Sequence, residues 1–226
     1  MWLLVDYPER IGNLAFPGSY CPSCNKALSA IHLIPLVSYI VQRGRCTHCD
    51  HRISWRYPVV EILGGVAVII ALNSFGLTIN AGAAAIYFWF LITLGFIDHE
   101  TGYLPNALTL PLVGLGLVAN AVTVFVPFMD ALIGAVAGYG AFWAISTIFK
   151  KIRGIDGLGL GDAKLLAAIG AWTGWQMLSP TVFAGSVIAL VGIGLVALRG
   201  EQIGRTTQMP FGPALAIAGA GALLFR

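Results

Sequence analysis

Pro58-Val-Val-Glu-Ile-Leu-Gly-Gly-Val-Ala-Val-Ile-Ile-Ala-Leu-Asn-Ser-Phe-Gly-Leu77 is an apolar run with a single charge, Glu61. A helix needs about 20 apolar residues, rising 1.5 Å each, to span the hydrocarbon core of a bilayer. This run meets that length and predicts a transmembrane helix. Working outward, five more runs read the same way: 80–97, 104–125, 131–149, 180–198 and 209–225. A shorter run at 163–177 makes a seventh. Gly and Ala are abundant in these runs, and steps such as Gly134-Ala-Val-Ala-Gly138 allow helix backbones to approach closely in lipid. The expected fold is an all-α integral membrane protein, a polytopic bundle of about seven transmembrane helices.

The composition agrees. Of 226 residues 58% are hydrophobic and 10% charged, with a mean hydropathy of +0.83. A soluble domain carries about 25% charged residues, so most of this chain belongs in lipid. The net charge of +3 is small and the basic residues are clustered, which points to membrane topology and not to nucleic acid. The start Trp2-Leu-Leu-Val5 is cut short by Asp6, Glu9 and Arg10; it reads neither as a cleavable signal peptide nor as a span.

The chain divides near Arg56 into a polar, cysteine-bearing domain, 1–56, and a membrane domain, 57–226. With the first placed in the cytoplasm and one crossing per span, 12 of the 13 basic residues fall inside and only Arg226 outside. Seven crossings satisfy this count, with the polar domain and the loops after 97 and before 163 on the cytoplasmic side.

Cys21-Pro-Ser-Cys24 and Cys46-Thr-His-Cys49 are separated by 21 residues. Each pair can grip one ion from a tight turn, and four thiolates complete a tetrahedral zinc site with no open position for water. Such a site is structural, supplying folding energy to a small polar domain. Redox pairs are the alternative reading, and His48 is a candidate replacement ligand.

Acids at membrane depth are costly and mark function. Asp98 closes the run 88–97 and opens Asp98-His-Glu-Thr-Gly-Tyr-Leu-Pro-Asn106. Asp162 closes Gly157-Leu-Gly-Leu-Gly-Asp162 and precedes an apolar stretch. The topology brings both to one membrane face. Two neighbouring carboxylates share one proton; the ionised member activates water and the protonated one polarises a scissile carbonyl. This is the equipment of an aspartyl peptidase. Gly157, Gly159 and Gly161 would let the backbone approach an extended substrate. As alternatives, Asp162 caps the following helix, and Asp98 is a turn residue at a helix end. His99 and Glu100 read as solvated headgroup-level residues. Glu61 reads as an ion-pair partner for a residue such as Arg56.

Gly159-Leu-Gly-Asp-Ala-Lys164 resembles the GxGD-x-K motif of type IV prepilin peptidases, and Ile97-Asp98 with Leu104-Pro-Asn106 resembles the segment bearing their first aspartate. Cys21-Pro-Ser-Cys24, Pro35-Leu-Val-Ser38, Arg43-Gly-Arg-Cys-Thr-His-Cys49, Arg56-Tyr-Pro-Val-Val-Glu61 and Pro210-Phe-Gly-Pro213 follow the same family in order. The resemblance implies a catalytic pair Asp98 and Asp162, with Gly159, Gly161 and Lys164 in the active-site loop. It also implies removal of the leader from type IV prepilins and pseudopilins at the cytoplasmic face of the bacterial inner membrane. S-adenosyl-L-methionine-dependent N-methylation of the new amino terminus comes from the resemblance alone. Family members usually begin with a spanning helix before the cysteine domain, so the count of spans here is one below the usual number.

Two rival readings use other chemistry. A scaffold with a zinc-ribbon docking module needs no dyad. A transporter would use Asp98 and Asp162 as ion ligands in broken helices, but at the midplane and not at one face. Pro213-Ala-Leu215 matches a tripeptide of the presenilin-like GxGD proteases; the cysteine pairs and the Ile-Asp context favour the prepilin family. The sequence sets no oligomeric state.

Overall fold

The structure, a computed structural model, describes residues 20–21, 23–153, 159–198 and 210–226. The apolar start at 2–5, the glycine-run residues 154–158, including Gly157, and the basic stretch 199–209 lie outside the described residues. All regular structure among those described is helical. The two isolated bridges, Tyr20 with Ala27 and Arg45 with Arg52, belong to the cysteine turns. The chain forms two compact units, the first ending at Ala67 and the second beginning at Val68.

In the first unit, two turns carry the cysteines, followed by a 3₁₀ turn Ala30–Leu33, the short helix α1 (Val37–Val41) and the start of α2 (Arg56–Phe75). The cysteine turns repeat one design at a constant offset. The Cys21 N–H donates to the Lys26 carbonyl and the Cys46 N–H to that of His51, both at 2.9 Å. Asn25 and Asp50 return to the first cysteine of each turn in left-handed conformation, with φ of 54° and 58°. Asn and Asp tolerate that conformation better than other side chains. No internal repeat is evident in the sequence; the backbone contains this one because turn geometry, not side-chain identity, is what repeats.

The second unit holds α3 (Ile79–Thr101), α4 (Asn106–Ala121), α5 (Phe128–Arg153), α6 (Leu160–Thr173), α7 (Leu178–Leu198) and α8 (Gly212–Leu224). Among the described residues, four helical segments are long and apolar enough to cross a membrane: Arg56–Phe75, Ile79–Thr101, Phe128–Ile152 and Trp175–Leu198. α4 and α8 are shorter apolar helices. Side chains such as Phe183, Leu190 and Leu195 on α7 remain exposed. So continuous an apolar surface suits lipid and not water.

α6 forms the core. From Leu165 to Thr173 every residue is buried, packed by α5, α4 and α8. The α5 contact rests on small residues, as the Gly134–Gly138 step predicts. A Cβ on Gly134 would collide with the Gly170 backbone, and one on Gly138 would come within 2.8 Å of the Leu166 carbonyl oxygen. Polar clamps complete the packing. Buried Asn120 donates to the Ala171 carbonyl at 2.8 Å, while its own carbonyl accepts the Phe125 and Val126 N–H groups at 2.9 and 3.0 Å. Trp172 donates its indole N–H to the Leu112 carbonyl at 2.8 Å and stacks on Tyr87 with centroids 4.9 Å apart.

Three of the boundaries that differ from the apolar runs have a visible local cause. The run 163–177 is α6 plus a separate 3₁₀ turn, because Gly174 takes φ +82° and breaks the helix. The run 104–125 ends as helix at Ala121, where the Asn120 side chain takes over the following amides. α8 starts only at Gly212, with Pro213 in its first turn, a position where a missing N–H costs nothing.

Candidate active site

α3 delivers Asp98 in its last turn. Gly102, with φ +63°, terminates the helix and donates its N–H to the Asp98 carbonyl at 2.8 Å. Asp98 faces inward and is only 5% exposed, whereas His99 and Glu100 are exposed, as expected of residues one and two steps around the helix. Asp98 is therefore part of the helix core and not a solvated turn residue.

The Asp98 carboxylate meets the start of α8. Its Oδ2 accepts the Gly212 N–H at 2.9 Å, the kind of free amide that a helix N-terminus offers to an anion. Only glycine fits there, since a Cβ would lie 2.5 Å from that same oxygen. Pro213-Ala-Leu215 thus begins α8 directly beside this contact.

Asp162 comes from the other direction. Gly159 is the N-cap of α6 and the Asp162 N–H donates to its carbonyl at 3.1 Å. Asp162 lies in the first helical turn, not at the cap. It is half-buried and lies within electrostatic reach of Asp98. Two contacts hold the segments bearing the aspartates together. Gly161 seats against Leu104, a Cβ there reaching 3.0 Å from the leucine Cβ, and Lys164 donates to the Asn106 side-chain carbonyl at 2.6 Å. Gly161 thus faces the chain's own Leu104, while Gly159 is exposed.

The arrangement is a pair of carboxylates from α3 and α6, a backbone N–H from α8 on one of them, and a lysine that ties α6 to α4. Gly212 is the member that the sequence reading missed. Its Gly-Pro sequence marks a helix start, but nothing local reveals which acid 114 positions away its N–H meets.

The four cysteines converge separately in the first unit. Their sulfurs all lie within 4.8 Å of one another, Cys21 and Cys49 at 3.8 Å, and none is in a disulfide. Zn–S bonds of about 2.3 Å in a tetrahedron put sulfurs about 3.8 Å apart, so the cluster fits a single ion of that size. Backbone N–H groups of His48 and Cys49 hold the Cys46 thiol down at about 6, which favours the thiolate a metal requires. His48 is not part of the cluster; its Nδ1 lies 3.1 Å from the Thr47 hydroxyl.

The family model for the type IV leader peptidase family matches residues 85–194, and that for the bacterial peptidase A24 N-terminal domain matches residues 2–75. A prepilin leader peptidase/N-methyltransferase of Pseudomonas putida is 42% identical over 224 residues, 99% of this chain and 77% of its own length. Proteins of the same description from Stutzerimonas stutzeri and Aeromonas hydrophila are each 44% identical. They align over 94% and 98% of this chain and over 73% and 75% of their own lengths. No solved structure matches the chain.

Proposed function

This chain belongs to the type IV leader peptidase family, and we propose that Asp98 and Asp162 are the catalytic pair with which it removes the leader from type IV prepilins and pseudopilins. The observation that carries this reading is the meeting of the two acids: 64 positions apart in sequence, they come within electrostatic reach at the ends of α3 and α6.

The pair holds one proton between them. The ionised carboxylate takes a proton from water as it attacks the scissile carbonyl, and the protonated partner donates its proton to the carbonyl oxygen; on collapse the first passes the water's proton to the leaving amine and the second recovers its own from the diol hydroxyl. The Gly212 N–H anchors one Asp98 oxygen, so the other is held in a set direction. The Lys164–Asn106 bond and the Leu104–Gly161 contact keep the two aspartate-bearing segments in register.

The remaining assignments follow from the same reading. Residues 57–226 form the membrane domain, its seven helices from α2 to α8 each making one crossing, and residues 1–56 form a cytoplasmic domain. The positive-inside count supports this orientation in the bacterial inner membrane. Cys21, Cys24, Cys46 and Cys49 hold a structural zinc ion. The relatives' names pair cleavage with N-methylation, and we extend both activities to this chain. S-adenosyl-L-methionine would supply the methyl group.

Cleavage of a prepilin by the detergent-solubilised protein tests the dyad. Asp98→Asn and Asp162→Asn should each lower the rate at least about a hundredfold with thermal unfolding unchanged. Residual cutting near the wild-type rate in either folded variant would remove that residue from the mechanism.

A further inference from the structure

The first unit turns apolar side chains outward on a stretch that its polar composition does not announce. Ile31, Leu33 and Ile34, in and just after the 3₁₀ turn, are exposed, and so are Val37, Ile40 and Val41 of α1. Positions 37, 40 and 41 share one face of a helix. That face is the outer one, with Ile40 and Val41 72% and 74% exposed, while Ser38 and Tyr39 between them are half-buried. This inverts the pattern of a helix packed on a core and facing water. The backbone also fixes the level of this stretch along α2. The Leu36 N–H donates to Glu61 Oε2 at 2.8 Å, and Leu36 takes φ +60° and ψ −46°, a conformation that a branched residue holds only where its surroundings enforce it. Glu61 lies five residues on from Arg56, where α2 begins, which is about 7–8 Å along the helix axis. α2 is long and apolar enough to cross a membrane. Leu36 and the apolar stretch around it therefore stand beside the first turns of a span, at the depth where headgroups give way to acyl chains.

We propose that residues 31–41 are an interfacial anchor, which seats the outer face of α1 in the headgroup–acyl boundary of an anionic lipid leaflet and so lays the first unit against the membrane. Depth selects lipid as the occupant, because the Leu36–Glu61 bond ties the stretch to α2 and not to a free loop. Charge agrees. Between residues 20 and 61 there are five basic residues against two acids, Asp50 and Glu61, and Lys26, Arg43 and Arg52 are exposed; anionic headgroups attract such a surface. Trp55, the last residue before α2, is 71% exposed, and an indole at the mouth of a span sits at headgroup level. Apolar side chains beside basic ones are the equipment with which a segment lies on a bilayer without crossing it. The inference rests on α2 as a span and not on the aspartate pair, so its failure leaves the dyad untouched.

The test places the photoreactive residue p-benzoylphenylalanine at one position at a time in the full chain, reconstituted in vesicles of phosphatidylethanolamine and phosphatidylglycerol. Ile40 probes the anchor. Val66, exposed on α2, reports the span, and Thr47, exposed in the second cysteine turn, reports the rest of the first unit. Metal content and leader cleavage show that each labelled chain is folded. The label at Ile40 should capture lipid to within about twofold of the label at Val66, and the label at Thr47 at least about tenfold less, since an interfacial seat brings only one face within reach of lipid. A label at Ile34 should behave like that at Ile40, and takes its place if the latter disturbs folding. A crosslink from Ile40 to a second copy or to another segment of the chain overturns the proposal, as does equal lipid capture at Ile40 and Thr47. No capture at Ile40 while Val66 captures lipid overturns it too. If Val66 captures none, the span reading of α2 falls with it, whereas leader cleavage by the two aspartate variants tests the dyad separately.

Discussion

Gly212 shows how a residue without a side chain shapes the surroundings of an acid. Its amide donates to Asp98 Oδ2 from another helix, and its missing Cβ is the space that the carboxylate occupies. Gly212→Ala should therefore displace Asp98 and cut leader cleavage at least about tenfold, since a misplacement near 1 Å is enough to cost far more. Gly114→Ala, where a Cβ meets nothing within 4 Å, should leave the rate unchanged. Assaying both variants for cleavage, beside their melting temperatures, separates displacement from unfolding. A double Asp98→Asn, Asp162→Asn variant should be no slower than either single one, because residues that act as a unit are not additive. The two aspartates were legible in the sequence as acids that no lipid-facing position would tolerate. Gly212 was not, since an N–H donor is common to every residue but proline and only the fold selects one.

At the level of elements, the contact of α5 with α6 carries the bundle. Gly134 and Gly170 face each other so closely that a Cβ on either strikes the other's backbone. Gly170→Ala should lower stability by about 1–3 kcal/mol, the usual cost of overpacking, seen as a lower melting temperature in detergent. Gly140→Ala, on the same α5 but against open space, should be neutral. Asn120→Ala should be harmful for a different reason: it orphans the buried amide of Val126, at about 1–3 kcal/mol, and the half-buried one of Phe125 at less. The spacing Gly134-Ala-Val-Ala-Gly138 announces a helix contact without saying which helix is met. α6 is the answer because it is short, 14 residues or about 21 Å, and is wrapped by protein where the longer helices face outward.

For the molecule as a whole, the two units answer to different forces. The second is held by apolar packing and small-residue contacts. The first, as far as it is described, has few buried side chains, with Cys21 and Cys46 prominent among them. Metal should therefore be the dominant support of the first unit and irrelevant to the second. Elemental analysis should find one zinc per chain. Chelation, or Cys21→Ser with Cys46→Ser, should release it and open the region 20–53 to proteolysis while the helices from α3 to α8 stay intact by circular dichroism. Finding no metal in protein purified without chelators would reject this account.

By itself the sequence determined that the chain is helical and built for lipid, because runs of about 20 apolar residues leave the backbone no other way to satisfy its hydrogen bonds in a bilayer. It also determined the chemistry available, through two acids and four thiols too sparse and too specific for chance surface decoration. Tertiary structure decided which groups meet. Only the packing of α3, α6 and α8 sets Asp98 beside Asp162 with an amide on one oxygen, and only the turn at Leu36 aims an N–H at Glu61. The physical reason is range. Apolar periodicity and spacing act over a few residues, whereas a hydrogen bond between residues 98 and 212 depends on every helix between them.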